Sequence, residues 1–106
     1  MRAAVCRTFG APLSIEEIDL RMPGPGEVHV RLDACAICHS DITYMDGDWG
    51  GELPAIYGHE AAGIVQGIGE GVKGLHCGVS VLVTLLRSCG DCFYCQKHQE
   101  LSLIHI

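Results

Sequence analysis

The stretch Met22-Pro-Gly-Pro-Gly-Glu-Val-His-Val-Arg-Leu-Asp-Ala34 decides how the rest of the chain is read. Two prolines and two glycines within Met22–Gly26 make a rigid turn. From Val28 to Ala34 apolar and polar residues alternate, the period of a half-buried strand. The same pattern extends to both sides. Arg2 to Phe9 reads as a strand, and Leu13 to Leu20 sets Leu and Ile against Ser, Glu and Asp. Ala61 to Ile68, with Gly63 inside it, reads as a strand that bends. Val79 to Leu85 is apolar throughout and is expected to be a buried strand. The 14 glycines fall between these runs, as in chains of short strands joined by tight turns. One short helix is expected, with Ser40 as its cap, Asp41 in its first turn and Gly47 at its end. The sum is a mainly β chain, a barrel or sandwich with little helix.

Composition narrows the class. With 106 residues, the chain can form one small domain. Its hydrophobic content of 48% and mean hydropathy of +0.25 exclude disorder. Seven Lys and Arg against 13 acids give a net charge of −6, which excludes a phosphate-binding surface for nucleic acid. No apolar run reaches the ~18–20 residues of a membrane span, and no signal-peptide pattern follows Met1. A cytoplasmic location is therefore expected, without membrane partners. Seven cysteines, an odd number, then read as metal ligands or reduced thiols. No G-x-G-x-x-G follows a strand. Gly67-Ile-Gly-Glu-Gly71 is a turn-like cluster only.

Three groups of residues could carry chemistry. Cys89, Cys92 and Cys95 recur at every third position, the short spacing by which a loop supplies thiolates to a structural zinc. Cys38-His39-Ser40-Asp41 and Gly58-His59-Glu60 offer a thiolate and an imidazole from two loops, with Asp41 and Glu60 as carboxylates able to fix the ring. On those residues alone, a buried thiol and a hydrogen-bonded core histidine are the preferred reading. Cys35 and Cys38 also form a C-x-x-C, which raises a thiol redox reading, although the strand-rich flanks lack the β-α-β order such a site uses. Cys6 and Cys77 read as structural thiols.

Taken together, G-P-G-E-V-H-V-R-L (24–32), C-H-S-D (38–41), G-H-E-A-A-G-I-V (58–65) and C-G-D-C-F-Y-C (89–95) closely resemble the N-terminal part of the zinc-dependent medium-chain alcohol dehydrogenases. The resemblance implies a GroES-like β-barrel with one or two short helices and a zinc loop. It implies Cys38 and His59 as catalytic-zinc ligands and Glu60 as a carboxylate that approaches the metal. Asp41 would orient His59, and Ser40 would take the alcohol proton. His39 would contact cofactor phosphate and could end the proton relay. Trp49 would be either a wall of the substrate pocket or an ordinary core tryptophan. Cys89, Cys92 and Cys95 would hold the structural zinc. The implied activity is oxidation of a small alcohol, or the reverse reaction of an aldehyde, with hydride transfer to NAD or NADP. The intact parent is expected to be a homo-oligomer.

The chain also departs from that pattern. The family's Rossmann domain and third catalytic-zinc ligand are not among these residues. Gly78-Val79-Ser80 stands where the family usually has Gly-Asp. The position of the fourth structural cysteine holds Leu103. Residues 101–106, Leu-Ser-Leu-Ile-His-Ile, continue no family pattern and match one reading frame of a transposon-end sequencing adapter. The expectation is an incomplete catalytic domain over 1–100, inactive by itself, followed by a non-native tail over 101–106. Two alternatives remain at this point. One is a stand-alone zinc-binding interaction module, with His98 or His105 replacing the missing cysteine. The other is a small thiol redox protein using Cys35 and Cys38.

Overall fold

A computed structural model describes residues 1–86 and 88–99. Among these residues, five strands and two short helices follow in the order β1 (Arg2–Val5), β2 (Ser14–Glu17), β3 (Val28–Ala36), α1 (His39–Asp46), β4 (Glu60–Ile68), β5 (Ser80–Val83) and α2 (Phe93–Gln96). β1 and β2 form a two-stranded antiparallel sheet; β3, β4 and β5 form an antiparallel sheet with β4 in the centre. A bridge between Cys6 and Ala55 ties the end of β1 to the loop before β4. The expected tail over 101–106, including Leu103 and His105, lies outside the described residues. Among those described, no helix is long and apolar enough to cross a membrane.

The Met22–Gly26 turn is anchored where it meets β3. Gly26 N–H donates to the Glu70 carbonyl at 2.8 Å, and Gly69 N–H donates to the Glu27 carbonyl at 2.8 Å. The entry to β3 is thereby tied to the exit of β4. The β3–β4 ladder then runs from Val28↔Ile68 to Ala36↔Glu60, with register shifts between His29 and Val30 and between Leu32 and Ala34. Such irregularities bend a strand pair. The bend is tightest at Gly63, where a side-chain carbon would collide with the Arg31 carbonyl oxygen.

Among the described residues, Val5, Cys6 and Val65 make up the buried apolar core, with Cys95 buried separately within the loop that carries α2. Burying a valine contributes about 1.5–3 kcal/mol, so Val5 and Val65 are substantial in so small a core. Strand lengths differ from the sequence reading: β1 and β2 are shorter than Arg2–Phe9 and Leu13–Leu20, whereas β3 and β4 extend to Ala36 and back to Glu60.

The expectation of a buried strand over Val79–Leu85 is corrected. β5 spans Ser80–Val83, and Leu82 and Leu85 are 79% and 66% exposed. The reason is position: β5 pairs with β4 on one side and is an edge strand among the described residues. The helix cap is corrected as well. Cys38, not Ser40, is the N-cap of α1, and Ser40 is already inside the helix. Gly47 ends α1, as expected, and does so in the left-handed conformation.

Two predictions follow from this architecture. Gly63→Ala should destabilise the fold by about 1–3 kcal/mol through overpacking. Gly67→Ala, on the same strand, would meet His29 Cβ and Pro23 Cγ at ordinary distances of 3.4 and 3.5 Å, and should stay within about 0.5 kcal/mol of the native chain. Urea unfolding distinguishes them; equal midpoints for the two variants would contradict the close approach. The second concerns the Arg7–Glu16 ion pair, joined at 2.8 and 2.6 Å. The Arg7 guanidinium, helped by the Ser14 hydroxyl, lowers the Glu16 carboxyl from its ordinary 4.5 to about 2. A depressed carboxyl stabilises the fold above its ordinary pKa and loses that contribution as pH falls through the folded value. The Tm difference between the native chain and Glu16→Gln should therefore be full above about pH 4.5 and close towards about pH 2. A gap independent of pH would contradict this.

Candidate metal centres

The register of the central sheet assembles the first site. Ala36↔Glu60 is the last pair of the β3–β4 ladder. Cys38 lies two residues beyond Ala36 and His59 one residue before Glu60, so the ladder delivers a thiol and an imidazole to the same end of the sheet. Helix α1 starts there. Its N-cap, Cys38, has extended backbone, and its third helical residue is Asp41.

Asp41, buried at 5% exposure, uses its two oxygens on different partners. Oδ2 accepts from the Cys38 backbone N–H at 3.0 Å, satisfying a donor that a helix N-terminus otherwise leaves open. Oδ1 lies 3.1 Å from His59 Nδ1. That bond selects the tautomer with Nδ1 protonated and turns the Nε2 lone pair to the opposite side. Nε2 faces the Ser40 hydroxyl at 3.3 Å and the Glu60 carboxylate at 3.8 Å. The Ser40 hydroxyl in turn donates to Cys38 Sγ at 3.2 Å. Ligand atoms of Cys38, His59 and Glu60 all lie within 4.8 Å of one another.

The electrostatics of this group are those of a thiolate beside an imidazole. Hydrogen bonds from the Ser40 hydroxyl and backbone N–H, then the neighbouring His59 ring, lower the Cys38 thiol below its ordinary range. The hydrogen bond to Cys38, then the charge of Asp41, raise His59 against the opposing effect of its partial burial. A soft thiolate, an imidazole nitrogen and a carboxylate converging on one point form a donor set that suits zinc.

The second group lies in the loop around α2. Cys92 is the N-cap of α2, and its Sγ accepts from Cys95 N–H at 3.5 Å; Cys89 Sγ accepts from Cys92 N–H at 3.3 Å. Cys89 Sγ and Cys95 Sγ are 3.9 Å apart, and all three sulfurs fall within 4.8 Å. A tetrahedron with metal–sulfur bonds of about 2.3 Å has edges of about 3.8 Å, which the Cys89–Cys95 separation of 3.9 Å matches. The Gly90 N–H favours the Cys95 thiolate. Burial and the adjoining Cys92 and Cys89 outweigh it and push the Cys95 thiol up. Three sulfurs held this close resist joint ionisation without a cation. His98 is not among the three grouped ligands, and the Leu103 position lies outside the described residues.

The other sequence-derived candidates are placed less centrally. His39, the first residue of α1, is exposed and stands outside the Cys38–His59–Glu60 group. Trp49 is 60% exposed, which removes the alternative of an ordinary core tryptophan. Cys77 is exposed, with its thiol towards the Gln66 carbonyl, so it is not a buried structural thiol as Cys6 is. Cys35 is exposed and its thiol turns to the Ala36 carbonyl, while Cys38 turns to Ser40 and His59. Among the described residues every strand pair is antiparallel, so the C-x-x-C has no β-α-β setting there. Tyr44 and Tyr57, which sequence reading did not single out, stack with ring centroids 5.7 Å apart. The capping role of Asp41 had a signal, since Cys38-x-x-Asp41 is the N-cap-to-N3 spacing of a capping box.

The family model described as the alcohol dehydrogenase GroES-like domain matches residues 24–103. The chain belongs to that family. "Alcohol dehydrogenase-like 7" of Arabidopsis thaliana is 43% identical over 104 residues, covering 93% of this chain and 26% of the relative. An alcohol dehydrogenase of Moraxella sp. is 43% identical over 98 residues, covering 90% of this chain and 29% of that protein. A crystal structure of an NAD-dependent alcohol dehydrogenase superposes with a TM-score of 0.88 at 34% identity, over 99% of this chain and 32% of that one. The fold is thus the mainly β GroES-like domain of alcohol dehydrogenases. The chain spans about a quarter of the length of the curated relatives it matches.

The Asp41–His59 contact yields a direct test. Asp41→Asn keeps an oxygen for the Cys38 N–H but removes the charge behind the imidazole. Zinc affinity of the Cys38–His59 group should fall about 10–100-fold, read by competition with a chromophoric chelator. Unchanged affinity would show that Asp41 does not govern the ring.

Proposed function

We propose that residues 1–100 are the N-terminal catalytic segment of a zinc-dependent alcohol dehydrogenase that oxidises a small alcohol with NAD or NADP as hydride acceptor. One observation carries this reading: Cys38 Sγ, His59 Nε2 and a Glu60 carboxylate oxygen converge beside the Ser40 hydroxyl in a chain of the alcohol dehydrogenase GroES-like family. Cys38 and His59 would hold a catalytic zinc, with Glu60 in reach as an alternative ligand. Cys89, Cys92 and Cys95 would hold a structural one.

Bound there, zinc would supply Lewis-acid polarisation of the alcohol oxygen, and a nicotinamide would supply the hydride acceptor. The chain's own residues do the rest. Asp41 keeps Nδ1 of His59 protonated and Nε2 turned towards Cys38. Ser40 Oγ, 3.2 Å from Cys38 Sγ and 3.3 Å from His59 Nε2, stands within hydrogen-bond reach of a substrate hydroxyl bound between them. It would take that proton while releasing its own hydroxyl proton, before hydride leaves carbon. Exposed His39, at the start of α1, would meet a cofactor phosphate and pass the proton to solvent. Trp49 would border the substrate.

The 106-residue chain by itself is proposed to bind metal without turning over alcohol, because it carries no G-x-G-x-x-G for a dinucleotide. A chimera tests the activity. Residues 1–99 would replace the corresponding segment of the Moraxella enzyme. Alcohol-dependent formation of NADH or NADPH is expected. Cys38→Ser or His59→Ala should abolish it, and Ser40→Ala should lower kcat about 10²–10⁴-fold. Cys77→Ser should leave it unchanged. A rate indifferent to Cys38→Ser would overturn the proposal.

A further inference from the structure

The Cys89–Cys92–Cys95 cluster is one donor short of a tetrahedral zinc site, which takes four ligands. The group brings together three sulfurs, and His98 is not part of it. The position that the family pattern gives to a fourth cysteine holds Leu103, a hydrocarbon side chain without a donor atom. What the loop does supply is well defined. Cys89 Sγ and Cys95 Sγ stand 3.9 Å apart, and each of the three sulfurs lies within 4.8 Å of the other two. Backbone N–H groups of Cys92 and Cys95 point at Cys89 Sγ and Cys92 Sγ. Cys95 is 7% exposed, whereas Cys92 is half-buried and Cys89 exposed. One sulfur is thus held inside the loop, and the two more open ones can close on it by rotation about their Cα–Cβ bonds.

Charge decides what such a triad favours. Three thiolates around a divalent ion leave a net negative charge beside buried Cys95, and around a monovalent ion they leave a larger one. Buried charge without a partner is costly. An element that makes three bonds to sulfur and carries a lone pair in the fourth direction leaves no charge and needs no fourth donor. Trivalent arsenic has that chemistry.

We propose that Cys89, Cys92 and Cys95 form a tris-thiolate site for trivalent arsenic, taken up as arsenous acid, As(OH)3. Three As–O bonds break and three As–S bonds form. Each thiol proton leaves with a hydroxide as water. Arsenic and sulfur keep their oxidation states, so neither oxidant nor reductant enters. The inference rests on the reading of these sulfurs as ligands, and it adds the class of centre that three donors complete.

The reduced 106-residue chain would be titrated with sodium arsenite, followed by the near-ultraviolet absorption of arsenic–thiolate bonds. One arsenic per chain is expected, with three of the seven cysteine thiols lost to a thiol reagent. That count needs no variant. Cys92→Ser should weaken arsenite about 10²–10⁴-fold, the advantage of a third ligand on the same chain. Cys35→Ser should leave it unchanged. Zinc would be titrated in a Cys38→Ser background, so that this cluster alone reports. There Leu103→Cys should tighten zinc by about 10²–10⁴-fold and leave arsenite unchanged. Two thiols lost per arsenic, no arsenite binding, an arsenite affinity indifferent to Cys92→Ser, or zinc unmoved by Leu103→Cys would overturn the proposal. The structural-zinc reading fails separately. Arsenite held by three thiols while zinc ignores both Cys89→Ser and Cys95→Ser would overturn that reading and uphold the arsenic site.

Discussion

The buried carboxylate of Asp41 is the contact on which the Cys38–His59 site depends. One oxygen takes the Cys38 N–H and completes the start of α1; the other takes the His59 ring and sets its orientation. A helix terminus and a metal ligand from a different element are thereby fixed by one side chain. The buried charge is tolerated because both oxygens have donors. The arrangement makes the position of Cys38 Sγ and the direction of His59 Nε2 mutually dependent.

The rest of the fold delivers the two partners to that carboxylate. The turn at Met22–Gly26 is tied to the far end of β4, and the ladder from Val28↔Ile68 to Ala36↔Glu60 carries the pairing to the end where Cys38 and His59 stand. The register irregularities and the close approach at Gly63 curve this pair on the way. The second sulfur cluster is built by different means, within one short loop, where backbone N–H groups of the loop itself point at the sulfurs. The first group depends on long-range pairing and the second on local turns. Damage to the sheet should therefore reach the first more readily than the second.

Much of this was legible in the sequence, for physical reasons that can be named. The three-residue spacing of Cys89, Cys92 and Cys95 is a local property, and the structure keeps the sulfurs together. C-H-S-D and G-H-E carried the first group through a resemblance, which the family match bears out at the level of the family. Alternation over Val28–Ala34 and the glycine within Ala61–Ile68 gave the two long strands of the central sheet. What failed was burial and termination. The apolar run Val79–Leu85 carries no mark of which strand lies at an edge, because edge position is decided by partners distant in sequence. Ser40 has the chemistry of a cap, yet Cys38 holds that place because the Asp41 carboxylate reaches back to the Cys38 N–H. The Tyr44–Tyr57 stack joins residues on different elements, and no local pattern announces it.

Asp41 chooses which nitrogen of His59 carries the proton, and long-range 1H–15N correlation of the histidine ring nitrogens tests this most directly. In the zinc-loaded chain, His59 should show Nδ1 bearing the proton and Nε2 with the shift of a metal-bound nitrogen. The opposite assignment, with the proton on Nε2, would contradict the central place given to Asp41.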